Sequence, residues 1–204
     1  MPKMVTSLFI LCFLFVSNQS YAQENIKIDS DILNNKKFLS DIKEWSQKPV
    51  VLISLMAQNK DNQNRTMDHI KALDKIWRDQ LQSKNKTVIV SKNKNPLSGY
   101  LSYIQSNSGG LYTSISIMDE KGLNVAQSVT TEDYWQGDEA KYQKTYALGS
   151  DAIYIDKAVF HEETQTWRAE FSLTLTEKND SKPLGAMTVE VNLNEFQRRE
   201  SLLR

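Results

Sequence analysis

The sequence predicts an α+β fold, with helices gathered on one side of an antiparallel sheet. Two observations predict it: apolar residues recur at three- and four-residue steps through the first half, and beyond Gly110 the period changes to two. A third is the order of these strands, which follow one another through short polar turns, as hairpins and meanders do.

The helical pattern runs from Asp29 to Ser83. Ile70, Leu73, Ile76, Trp77 and Leu81 share one face of a helix that begins near Thr66. Periodicity alone leaves Pro49–Met56 open between a buried strand and a helix with Pro49 as its first residue. Asn59–Arg65 is a polar break, and Ser83–Asn95 reads as a loop whose lysines, Lys84, Lys86, Lys92 and Lys94, alternate with asparagines and other polar residues. A short helix follows through Tyr100 and Ile104.

Leu111, Thr113, Ile115 and Ile117 then alternate with Tyr112, Ser114 and Ser116, the mark of a half-buried strand. Asp119 to Gly122 forms a turn into a return strand that begins Leu123, Val125, Gln127, Val129. Three further strands are predicted at Ala152–Phe160, Thr166–Leu175 and Leu184–Leu193, the second with one wet face of Arg168, Glu170, Ser172 and Thr174. Asn194–Arg204 reads as a terminal helix. No internal repeat or dividing linker interrupts the chain, so residues 23–204 are expected to form a single domain.

Residues 1–22 read as a secretory signal peptide. One lysine precedes an apolar run from Leu8 to Val16, too short to cross a bilayer comfortably, and Ser20 and Ala22 supply a small-residue cleavage site. Cleavage after Ala22 leaves an exported, periplasmic or secreted chain without cysteine, because Cys12 lies in the leader; an uncleaved anchor is the alternative. The formal net charge is zero, and nothing in the composition suggests a nucleic-acid footprint.

The segment Thr130–Tyr146, TTEDYWQGDEAKYQKTY, concentrates acids and aromatics. Asp133 as N-cap with Gln136 three residues on suggests a helix start, and would place Trp135, Glu139, Tyr142 and Tyr146 on one face. Gly137 inside such a helix implies a kink or a close approach, and Gly149 a left-handed end. Catalysis is not indicated. Adjacent acids such as Asp138 and Glu139 diverge on a helix, and the two histidines, His69 and His161, lack zinc-site spacing.

Met118–Val125, Asp133–Lys141 and Leu184–Val189, in this order and after an exported N-terminus, resemble the extracytoplasmic Cache (PDC) sensor domains, PAS-like modules of bacterial receptors. The resemblance covers about Lys48 to Leu193. It implies helix for Pro49–Met56, a five- or six-stranded antiparallel sheet with a long N-terminal helix, and a small-molecule pocket between the sheet and the segment joining the second and third strands. It implies binding rather than catalysis, and no cofactor. Relatives commonly add a second transmembrane helix and a cytoplasmic output domain. This sequence has neither, and is expected to be a free-standing module acting through a membrane receptor partner, the alternative being an interaction protein with a vestigial pocket.

The pocket walls expected are Trp135, Tyr142 and Tyr154, with Ser116, Thr130, Asp133 and Asp138 as polar groups. No arginine lies between Arg78 and Arg168, which disfavours a clamped carboxylate. Acids beside aromatic faces favour an amine or amino-acid-like ligand.

Overall fold

The computed structural model describes residues 27–177 and 181–203; the leader and its cleavage site lie outside the described residues. Polar side chains start the helices by accepting orphan amide protons of the first turn. Asn35 caps α1 (Lys36–Ser46), Pro49 occupies the first turn of α2 (Pro49–Asn62), and Thr66 caps α3 (Met67–Leu81). Asn95 caps α5 (Pro96–Asn107), and Asn192 caps α7 (Leu193–Leu202).

The strands are β1 (Tyr112–Asp119), β2 (Asn124–Gln127), β3 (Ile153–Ile155), β4 (Val159–His161), β5 (Thr166–Thr176) and β6 (Pro183–Asn192). They form one antiparallel six-stranded sheet in the order β2-β1-β6-β5-β3, with β4 also paired to β5. The α+β architecture and strand number are thus those expected.

One face of the sheet carries Ile115, Ile117, Phe171, Leu173, Val189 and Val191, buried against Phe38, Val51, Leu55, Leu97 and Leu101 of the helices. Each such side chain contributes about 1.5–3 kcal/mol on leaving water. A second, smaller core joins Ile70 and Trp77 of α3 to Leu123 and Tyr134. The face of α3 that faces this core also holds Asp74, buried between Ile70 and Trp77, while Ile76 is exposed.

Four expectations are corrected. The 83–95 loop contains a helix, α4 (Thr87–Asn93), because Gln80 on α3 accepts the Val88 and Ile89 amide protons at 2.9 and 3.3 Å and Ile89 is buried. That capping comes from another element, so local sequence does not display it. The expected strand 152–160 is split into β3 and β4, both paired to β5, with Asp156–Ala158 between them. The wet face of β5 is wet only at one end: Ser172 and Thr174 are buried.

The fourth correction concerns the helix from Asp133. The helix in this segment is only α6 (Ala140–Gln143), preceded by Glu139 without a side-chain cap bond. Residues 134–136 instead run beside β2: Asn124 N–H donates to the Tyr134 carbonyl at 3.0 Å and Gln136 N–H to that of Gly122 at 2.7 Å. The Tyr134 and Trp135 amides donate to Asp74 Oδ1. Backbone groups a helix would need are therefore committed sideways. Gly149 has φ 112° but follows a 3-10 turn at Tyr146–Leu148 rather than a longer helix.

Candidate functional site

The sheet face opposite the main core is polar at its centre. The register Ser116–Thr188–Ser172–Tyr154 forms a row across β1, β6, β5 and β3, and Gln127 on β2 extends it beyond Ser116. Ser116, Thr188, Ser172 and Gln127 are all buried, and the Ser172 and Thr188 hydroxyls lie 2.9 Å apart. The next row, Met118–Ala186–Thr174, lies toward the β1–β2 turn, where Tyr142 and Tyr146 pack on Met118 and Ala186. On the other side come Ser114, Glu190 and Glu170.

The segment Thr131–Tyr146 covers this face and is tied down at both ends. Trp77 donates its indole N–H to the Thr131 carbonyl at 2.9 Å and stacks on Tyr134. Thr131 bridges Gln127 Oε1 and the Asp133 carbonyl, and Asn124 donates to both Thr131 Oγ1 and the Asp133 carbonyl. Farther along, Tyr142 donates to the Glu120 carbonyl at 2.6 Å and stacks on Tyr146.

Charge collects under the cover. Lys141, largely buried, bridges Glu170 at 3.0 Å and Glu139 at 3.1 Å. Burial alone would lower its pKa, but the two carboxylates outweigh it and raise it. Asp133 is pushed up to about 6, first by burial and then by Glu139 and Asp74, against the opposing effect of Lys141. The Gln136 amide donates to both Asp133 oxygens of carbonyl and carboxylate type. Among the described residues, the buried Asn124 Oδ1 and Thr174 Oγ1 have no hydrogen-bond partner.

The structure distributes the expected site residues over three places within the fold and leaves two on the surface. Ser116 and Tyr154 belong to the transverse row, but two strands separate them, about 14 Å at the usual strand spacing. Tyr154 donates to Asp156 at 2.8 Å, and Lys144 sits 4.3 Å from its ring centre. Asp133 belongs to the charged cluster. Trp135 and Tyr142 line a groove of about 400 Å³ at the α2–α3 junction, together with Arg65, Met67, Glu120, Lys121 and Gly137. Thr130 is exposed and accepts from Asn93, and Asp138 is exposed.

Gly137 is explained by close approach. A Cβ there would lie 2.5 Å from Trp135 Nε1, because the indole folds back over it to donate to the Lys121 carbonyl at 2.8 Å. Gly122, at φ +77°, touches Gly137 from the other side, where its own Cβ would meet the Gly137 Cα at 2.5 Å.

Reading the sequence missed Asp74, Arg65, Glu170 and the Thr188–Ser172 pair. Asp74 left a signal, an acid four residues from Ile70 and three from Trp77 on an otherwise apolar stripe. The others came together through strand pairing and chain reversal, which local spacing does not report.

No family model matches the chain, and no curated protein matches it. Solved structures do. They include the extracellular domain of a histidine-kinase candidate, at 17% identity and TM-score 0.42 over 72% of this chain and 63% of that one. The ligand-binding domain of a Campylobacter jejuni chemoreceptor, in complex with 4-methylisoleucine, matches at 15% identity and TM-score 0.38 over 84% of this chain and 66% of that one. That of a Pseudomonas aeruginosa amino-acid chemoreceptor, in complex with GABA, matches at 13% and 0.34 over 78% and 62%. The chain spans a little under two thirds of each of these domains. The first is an extracellular domain and the other two are ligand-binding domains of chemoreceptors, and their ligands are theirs. Among the described residues no helix is long and apolar enough to cross a membrane.

Proposed function

We propose that this protein is an exported, single-domain sensor module that binds a small cationic molecule, an amine or amino-acid-like compound, between the sheet and the Thr131–Tyr146 cover. The observation that carries this reading is the buried polar row Ser116–Thr188–Ser172 beneath an acid-rich cover. A sheet face that served stability alone is more cheaply covered by apolar groups, since each buried hydroxyl needs a partner. Here Glu139 and Glu170 share one buried cation, Lys141, and Asp133 nearby is pushed up first by burial and then by the negative charge of Glu139 and Asp74. A ligand ammonium relieves it. Ser116 and Asp133 are the residues expected to contribute from the original set, with Glu170 and Thr188 added.

Occupancy would be passed on through α3. The cover reaches that helix by the Asp74 bonds to the Tyr134 and Trp135 amides and by the Trp77 bond to Thr131, so a shift of the cover moves α3. A membrane receptor partner reading that shift completes the proposal. The second reading is an interaction protein with a filled pocket, favoured by Lys141 itself, which occupies the position a ligand amine would take.

A thermal-shift screen of the purified protein with primary amines, amino acids and short carboxylates separates the two. The sensor reading expects saturable stabilisation by amines, weakened at least tenfold in Asp133→Asn and Glu170→Gln. Silence of every amine, or equal stabilisation in both variants, refutes it.

A further inference from the structure

The groove at the α2–α3 junction has the opposite charge character from the site beneath the cover. Its cations are Arg65 and Lys121, contributed from either side of α3 in sequence. Lys121 Nζ is committed to the carbonyls of Gln63 and Arg65, at 2.9 and 2.8 Å. Arg65 differs. Its Nε donates to Asn62 Oδ1 at 2.8 Å, and Asn62 in turn donates to the fully buried Asp119 at 2.6 Å. The head group is therefore held by a fixed relay. Its two terminal nitrogens have no hydrogen-bond or carboxylate partner among the described residues.

The aromatic walls are spent at their polar ends. The Trp135 indole N–H is bonded to the Lys121 carbonyl, and the Tyr142 hydroxyl to that of Glu120. What they offer an occupant is ring surface, and Met67, 47% exposed, adds a soft apolar edge. Gly137 and Gly122 let the two backbones touch and so let the indole lie as one wall. About 400 Å³ is within the range of small-molecule sites.

We propose that this groove is a second ligand site, which binds a monocarboxylate with an apolar or aromatic body, its carboxylate on the open fork of Arg65 and its body against Trp135 and Tyr142. A planar guanidinium held at its Nε presents two parallel donors that match a carboxylate. Glu120 lines the same groove and opposes a doubly charged occupant such as phosphate. The site lies outside the sheet-face cluster and does not depend on it.

The test uses the purified protein labelled with nitrogen-15, the Trp135 indole resonance being assigned through Trp135→Phe, and phenylacetate and its neutral isostere phenylacetamide as probes. Phenylacetate is expected to shift the Trp135 indole signal saturably, and phenylacetamide to bind at least tenfold more weakly. Arg65→Gln should weaken phenylacetate at least tenfold, Arg65→Lys less, and Asp133→Asn should leave it unchanged. No saturable shift, equal binding of the amide, or an Arg65→Gln protein that binds as well as the parent each overturns the proposal. Amine binding beneath the cover is read separately, through Asp133→Asn, so either site can fail alone.

Discussion

Replacing Gly137 by alanine puts a methyl carbon 2.5 Å from Trp135 Nε1, 2.8 Å from Cε2 and 3.0 Å from Cζ2. The backbone does not forbid the change, since Gly137 is not among the residues of positive φ. The cost is therefore steric, and it falls on the indole. Either the ring swings out and loses its 2.8 Å bond to the Lys121 carbonyl, or residues 135–137 shift from the β1–β2 turn. Overpacking of this kind costs about 1–3 kcal/mol and a lost hydrogen bond about 1 kcal/mol. The stiffer unfolded chain returns about 0.4–1 kcal/mol. The net expectation is a loss of about 2 kcal/mol, or about 4–8 °C in Tm for a domain of this size. Urea unfolding measures it, and a second background decides its cause. In Trp135→Ala the three clashing atoms are gone, so Gly137→Ala should there be neutral or stabilising by up to about 1 kcal/mol. A loss of about 2 kcal/mol in both backgrounds refutes the indole explanation. Gly122→Ala is the control: it meets backbone and needs φ +77°, so it should destabilise in either background.

Asp74→Ala leaves the Tyr134 and Trp135 amides without their acceptor and should cost about 3 kcal/mol, with hydrogen exchange accelerated at those two amides while β5 and β6 stay protected. Asp133 takes up a proton more readily folded than unfolded, its pKa moving from 3.8 to about 6. Stability of the unliganded protein should then decline as pH rises through that window, a slope that Asp133→Asn removes in Tm measured against pH. Ser172→Ala or Thr188→Val alone strands a buried hydroxyl and should cost about 1–3 kcal/mol, whereas the double variant should fall within about 1 kcal/mol of the parent by urea unfolding. Lys141→Met uncovers Glu139 and Glu170, so the unliganded Tm should drop and the amine-induced rise should grow; an unchanged rise would count against a ligand amine at that position.

The secondary structure was legible wherever a segment makes its own local bonds. Thr66 caps the helix whose apolar stripe it precedes, and the period-two stretches at 112–119, 166–176 and 183–192 are strands because alternation already assigns their faces. The turn Asp119–Gly122 is likewise written locally, with Gly122 at the position of positive φ. What the spacing around Asp133 suggested, a helix, lost to partners far away in the chain: Asp74, Gly122 and Asn124 take the backbone groups of residues 134–136. Trp135 and Tyr142, expected as walls of a pocket beneath the cover, line the groove at the α2–α3 junction. Arg65, which faces them, was not legible as their partner, because it lies on the other side of α3 in the sequence.

The sequence by itself determined the fold class, most of the run of helices and strands, and where acids and aromatic rings concentrate along the chain. Only the tertiary structure decided how those residues are grouped. Strand pairing aligned Ser116, Thr188 and Ser172 into one buried row, and folding of the cover set Lys141 against Glu170. The physical reason is range. Helix caps and strand alternation act over a few residues, whereas charge, burial and hydrogen-bond partners act through space, and the sign of a site is the sum over whatever the fold brings near.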